Sequence, residues 1–251
     1  MEKEIKIKTG DGKYIYGVLR LPNNGTLLRE RPLIIFVHGL TGHKNEHIFF
    51  NGSRFFANCD WPSFRFDLYG DEKYSRHLQN CTLDTHAKDL DQVIDYFKNK
   101  GVKKIFVAGH SYGGPTILMS QKKRYDAVVL WDSSFDPFKF LKNAKYLGRI
   151  QGHKSYIEDW GVAFIIGKYM RDEAIQLTAK KCEELIRSVN VPIKIIVAGK
   201  GVLIKGGKRY FKVANKPKAF SIIKNATHCF DEDGAEEKLL QETYDWFLKY
   251  K

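Results

Sequence analysis

The chain has 251 residues, a length that suits one α/β domain with a full core. Hydrophobic residues make up 43% and aromatic residues 14%, which excludes a disordered or low-complexity protein. Forty-two Lys and Arg against 29 Asp and Glu give a formal charge of +13, so a nucleic-acid partner is the first question the composition raises.

Near the N-terminus, Ile5 and Ile7, then Tyr14, Tyr16 and Val18, alternate around Asp11-Gly12, the pattern of an antiparallel β-hairpin. Residues 32–38 form a continuous apolar run, as in a strand buried on both faces of a mostly parallel sheet. A short strand over 63–67 follows. Leu83, Ala87, Leu90, Ile94 and Phe97 fall on one helical stripe, with Thr82 placed to cap its start and Gly101 its end. Strands are then expected over 104–108, 127–131, 193–198 and 219–224, with helices over 113–123 and 235–250. This alternation argues for a doubly wound α/β sheet with antiparallel N-terminal strands and helices on both faces. Residues 133–188 break the rhythm, holding no clear strand but Phe135, Phe138, Phe140, Tyr146, Tyr156, Trp160, Phe164 and Tyr169. They are expected to form a helical cap insertion on a single domain spanning 1–251.

Cys59, Cys81, Cys182 and Cys229 make no C-x-x-C pair, so no structural zinc site is expected and the thiols read as reduced. No apolar segment follows Met1 and no apolar run approaches about 18 residues, so the expectation is a cytoplasmic protein without a membrane span.

Chemistry concentrates in Gly109-His110-Ser111-Tyr112-Gly113-Gly114, which follows a buried strand and opens a helix. That is the context a nucleophile elbow needs, with Ser111 exposed at the carboxyl edge of the sheet. The bland alternative is a glycine-rich turn whose serine caps a helix. His38-Gly39-Leu40-Thr41-Gly42 follows the strand at 32–37, where the Leu40 N–H, with that of Tyr112, would form an oxyanion hole. Among eight histidines, His228 lies between the last strand and the last helix, within reach of that edge as a general base, whereas His110 occupies the variable position of the elbow.

At this point the chain resembles the α/β-hydrolase superfamily, and within it small serine esterases of the cinnamoyl and feruloyl esterase type. The segments that carry the resemblance are Val37–Gly42, Arg65-Phe66-Asp67-Leu68-Tyr69-Gly70, the helix over 83–97, Gly109–Gly114 and the His228 loop. The resemblance implies an α/β-hydrolase fold, Ser111 as nucleophile, His228 as base, and the Leu40 and Tyr112 amides as oxyanion donors. It also implies hydrolysis of carboxylic esters with no metal or cofactor.

One position departs from the family. Its acid usually stands three residues past a Gly after the strand before the histidine, where this chain has Val202, and no Asp or Glu occurs from 194 to 224. Asp132 is the favoured replacement. It ends the strand 127–131 at the same edge and keeps the order Ser…Asp…His. It could instead cap the turn Asp132-Ser133-Ser134, and Asp136 and Asp159 are the next candidates.

Three further readings stay open. One is a thioesterase or acyltransferase on an anionic acyl carrier. Another is a non-catalytic binding protein with a broken triad. The last is a nucleic-acid binder, which has no recognised motif behind it. The charge itself is local, since nine basic residues and no acid lie between Lys194 and Lys224. A small ester, anionic or aromatic, is the expected partner; nucleic acid and membrane are not.

Overall fold

The computed structural model describes residues 1–23, 28–150, 152–159 and 163–251. Alternation builds the first edge of the sheet, with β1 (Glu2–Lys8) pairing antiparallel to β2 (Tyr14–Arg20) and Ile7 facing Ile15. Then come β3 (Leu33–Val37), α1 (His47–Asn58), β4 (Ser63–Phe66), a single 3-10 turn (Leu78–Asn80), α2 (Leu83–Asn99), β5 (Ile105–His110), α3 (Gly113–Met119) and β6 (Ala127–Trp131). An insertion carries α4 (Phe138–Leu141), β7 (Lys145–Ile150), β8 (His153–Asp159), β9 (Ala163–Gly167), α5 (Lys168–Gln176) and α6 (Ala179–Arg187). The chain ends with β10 (Ile193–Ala198), α7 (Ile204–Val213), β11 (Lys218–Ile223) and α8 (Ala235–Leu248).

The main sheet runs β1-β2-β4-β3-β5-β6-β10-β11, parallel from β4 onward and antiparallel on both sides of β2. Continuous apolar strands are explained by burial on both faces. Leu33, Ile35 and Val37 join a core with Leu90, Ile94 and Phe97 of α2 and Tyr210 of α7. Ile34 and Phe36 point the other way, to Phe49 and Phe56 of α1 and Leu240 and Phe247 of α8. Each large side chain so buried contributes roughly 1.5–3 kcal/mol. The predicted caps of α2 are present: Thr85 N–H donates to Thr82 Oγ1 at 3.0 Å, and Gly101 takes φ +87° just past the end.

The sequence pattern names neither α1 nor α7. Both put small residues on their buried faces, Gly52 and Ser53 in one, Gly206 and Gly207 in the other, where propensity disfavours a helix. The gain is close packing, because a Cβ on Gly207 would collide with Val197 and one on Gly206 would come within 2.5 Å of Phe135.

The insertion corrects a second expectation. It has helices, but also the three-stranded antiparallel sheet β7-β8-β9, where no clear strand was expected. β7 is largely exposed and carries Lys145, Gly148 and Arg149, so no apolar run betrays it. Phe135 and Phe164 enter the core, whereas Tyr146 and Tyr169 face solvent. Trp160 and the side chains of Phe138 and Phe140 lie outside what the structure describes. Among the described residues, no helix is long and apolar enough to cross a membrane.

Candidate active site

At the carboxyl end of β5 the chain must turn within two residues into α3. Ser111 does so at φ +53°, a conformation that costs a non-glycine residue about 1–3 kcal/mol. The flanking glycines make the turn possible, since a Cβ on Gly109 would lie 2.5 Å from Ile117 Cδ1 and one on Gly113 would collide with the Val37 carbonyl. The loop after β6 clamps the elbow. Ser111 N–H donates to the Trp131 carbonyl at 3.0 Å, and Ser134 N–H donates to the Ser111 carbonyl at 3.1 Å. Ser134 Oγ lies 3.5 Å from Ser111 Oγ.

The predicted oxyanion loop passes directly over this serine. A Cβ on Gly39 would stand 2.9 Å from Ser111 Cβ and 3.5 Å from Oγ. The orientation of the 39–40 peptide follows from what holds its carbonyl. Leu68 N–H donates to His38 Nε2 at 2.9 Å, so the ring proton is on Nδ1 and is donated to the Gly39 carbonyl at 2.8 Å. The Tyr69 hydroxyl and the Gly42 N–H, each at 3.2 Å, donate to the same oxygen. In a trans peptide the N–H points opposite to the C=O. Fixing the Gly39 carbonyl therefore turns the Leu40 N–H the other way. Burial pushes the His38 pKa down to about 4, so the ring is neutral in this role. The far end of the loop is tied down by Lys44, whose N–H donates to Asp67 Oδ1 at 2.7 Å and whose ammonium pairs with Asp67 and, at 3.3 Å, Glu72. Tyr112, the N-cap residue of α3, follows the serine directly.

His228 sits on the loop between β11 and α8, as expected. Its Nδ1 lies 2.6 Å from Oδ2 of Asp132. Asp132 is fully buried at the end of β6, and its other oxygen, Oδ1, accepts from the Ala198 N–H at 3.1 Å. Of the three acids considered, Asp132 is the one brought to the histidine; Asp136 pairs with Lys139 at 3.3 Å, and Asp159 ends β8 in the insertion. Val202, in the place where the family carries its acid, is 82% exposed. Ser111 and His228 form no hydrogen bond among the described residues; such bonds are often long in a resting site.

Two contributors escape the sequence pattern. His110, read only as the variable elbow position, lies with its Nε2 2.8 Å from the His228 carbonyl. Burial pushes its pKa down to about 3, so it is a neutral ring that donates Nε2–H and pins the His228 backbone. Ser134 lies beside Ser111 because the loop after Asp132 folds back on the elbow. The one signal for His110 was its position next to Ser111; for Ser134 it was its place two residues past Asp132.

A family model described as the alpha/beta hydrolase fold matches residues 32–147. Among solved structures the chain is similar to Est1E from Butyrivibrio proteoclasticus with ferulic acid bound, with a TM-score of 0.80 and 20% identity over 98% of each chain. It is similar to an esterase domain of a Rhodothermus marinus protein, with a TM-score of 0.77 and 19% identity over 100% of this chain and 99% of that one. It is also similar to the α/β hydrolase GrgF from Penicillium sp. sh18, with a TM-score of 0.78 and 16% identity over 100% and 99%. No curated protein sequence matches it. The chain has the α/β-hydrolase fold, and its resemblance to small esterases of that fold extends over almost its whole length.

Proposed function

We propose that this protein is a serine hydrolase that cleaves carboxylic esters through an acyl-enzyme on Ser111, with His228 as base and Asp132 as acid. The observation that carries the reading is the buried Asp132 carboxylate 2.6 Å from His228 Nδ1, on the loop that clamps the Ser111 elbow. A carboxylate there keeps the proton on Nδ1 and leaves Nε2 free to accept. His228 then takes the Ser111 proton as Oγ attacks the ester carbonyl. The Leu40 and Tyr112 amides receive the negative charge that develops on the carbonyl oxygen. His228 returns its proton to the departing alcohol, and a water activated by the same ring releases the acid. Residues 133–188 act as a cap on a single catalytic domain. The ferulic acid held by Est1E supports small aromatic acyl groups as the substrate class.

A second reading, thioester hydrolysis or acyl transfer from an anionic carrier, is favoured by α7, which exposes Lys205, Lys208 and Lys212 on one face. One experiment tests both. Aryl esters and thioesters are offered to wild type and Ser111→Ala, with a serine-directed phosphonate as label. Turnover and labelling that vanish in Ser111→Ala support the mechanism, and the preferred substrate decides between the readings. Absence of both in the wild type would leave a binding protein on a hydrolase fold.

A further inference from the structure

We infer that the cleft between the β7–β8 hairpin and the start of α5 binds a phosphate-bearing group. The cleft encloses roughly 220 Å³ and is lined by Arg149, His153, Lys154, Lys168, Tyr169 and Gln79, with Gly152. Each can donate a hydrogen bond, and none is a carboxylate. A drug-sized pocket takes roughly 300–1,000 Å³, so the volume suits one headgroup rather than a whole extended ligand.

The hairpin is built against its own electrostatics at this point. Arg149 pairs directly with Lys154 across the two strands. Like charges facing each other on an antiparallel pair repel. The register shifts between Tyr146 and Gly148, and Gly148 has φ +133°. Such a bulge bends the strand and re-aims the side chains beyond it, here Arg149. One Arg149 Nη1 donates to the Gly152 carbonyl at 3.1 Å, which braces the guanidinium. On the facing helix, Asp172 pairs with Lys168 and lies 3.7 Å from Arg171. Among the described residues, no carboxylate lies within ion-pair distance of Arg149 or Lys154. An anion in the cleft would relieve the repulsion. A guanidinium fork, an ammonium and neutral donors suit the three acceptor oxygens of a phosphate monoester better than the two of a carboxylate.

The cleft lies at a joint of the fold. Gly167, just before α5, packs against the backbone of Gln79, on the connection that also carries Tyr69. Two sources of phosphate fit this chemistry: the free ion, and a phosphorylated portion of the substrate. The second rests on the hydrolase reading; the binding itself does not.

Calorimetry with inorganic phosphate and pyrophosphate at low salt tests binding in three proteins: wild type, Arg149→Gln/Lys154→Gln, and the charge-matched control Lys205→Gln/Lys208→Gln. Thermal melting confirms that each is folded. Saturable binding to wild type is expected, weakened more than about tenfold in the cap variant because two charge-assisted contacts are lost. The α7 control should retain wild-type binding. No saturable binding, or equal weakening in the control, overturns the proposal. The source is then decided by kinetics with a neutral aryl ester and a phosphorylated thioester. If the phosphate belongs to the substrate, the cap variant raises KM for the phosphorylated compound alone. If free phosphate is the ligand, both compounds behave in the variant as in wild type while the calorimetric loss stands. A protein without hydrolase activity that still binds phosphate through Arg149 and Lys154 would refute the catalytic reading and uphold the cleft.

Discussion

The sharpest test of the catalytic arrangement is Asp132→Asn. The carboxylate now serves two donors, Ala198 N–H through Oδ1 at 3.1 Å and His228 Nδ1–H through Oδ2 at 2.6 Å. An amide has nearly the same shape but one acceptor oxygen. With that oxygen kept on Ala198, its NH2 group faces His228, whose Nδ1 must then be unprotonated. The ring proton moves to Nε2, and the lone pair needed for the Ser111 proton is lost. In serine proteases a wrong tautomer of this kind lowers kcat on the order of 10⁴, equivalent to ~5.5 kcal/mol in the barrier. Folding stability should change by no more than ~1 kcal/mol, since both neighbours keep a hydrogen-bond partner. The assay is steady-state hydrolysis of an aryl ester, paired with the rate of phosphonate inactivation and a thermal melt. Asp136→Asn is the control, because it gives up only a contact to the exposed Lys139. Near wild-type turnover in Asp132→Asn, or a matching loss in Asp136→Asn, would refute the assignment.

Other consequences follow from the same geometry. Gly39→Ala places a methyl 2.9 Å from Ser111 Cβ, and the resulting displacement should cost about 10²-fold in kcat in the aryl ester assay, with the melting temperature as control. Tyr69→Phe removes one of three donors to the Gly39 carbonyl; a net bond of ~1 kcal/mol predicts about a fivefold fall in kcat/KM, and an unchanged value would mean the hydroxyl does not orient this peptide. Three histidines are buried with pKa values pushed down by desolvation, His38 to about 4, and His86 and His110 to about 3. The unfolded chain binds those protons near pH 6.5 and the folded one does not. Their contribution is therefore complete above pH 6.5 and is lost as pH falls toward 4 and 3. Among the described residues His86 Nε2 is buried without a hydrogen-bond partner, so His86→Phe should be tolerated at pH 7.5. In urea unfolding between pH 6.5 and 5, that variant should lose up to ~1.4 kcal/mol less per pH unit than wild type. Parallel pH profiles for the two proteins would contradict a neutral buried His86.

The elbow at Ser111 was legible because its reasons are local. A strand, two glycines forced by close approach, a serine and a helix lie within the 15 residues from Ile105 to Met119, and each leaves a compositional mark. The same holds for the apolar strands, whose two-sided burial shows as unbroken hydrophobic runs, and for α2 with its single stripe and its Thr82 cap. α1, α7 and the insertion sheet were illegible for the converse reason. Gly52, Gly206 and Gly207 lower helix propensity and are repaid only by neighbours outside their own helices, Leu240, Phe135 and Val197. β7 is stabilised by pairing with β8 rather than by an apolar face of its own.

The sequence by itself determined the α/β alternation, the elbow at Ser111, the loop that holds His228, and the emptiness of the 194–224 stretch where the family's acid belongs. That emptiness narrowed the candidates, and position at a strand end favoured Asp132 over Asp136 and Asp159. The tertiary structure brought Asp132 to His228 and turned Asp136 to Lys139. The physical reason is that a carboxylate–imidazole contact depends on where two strand ends separated by 96 residues meet in the sheet. It also depends on which way a side chain leaves its turn, and on the backbone N–H of Ala198, from a third strand, that holds the other oxygen. No local pattern records those three conditions. The same is true of the His110 bond to the His228 carbonyl, and of the Arg149–Lys154 pairing in the insertion.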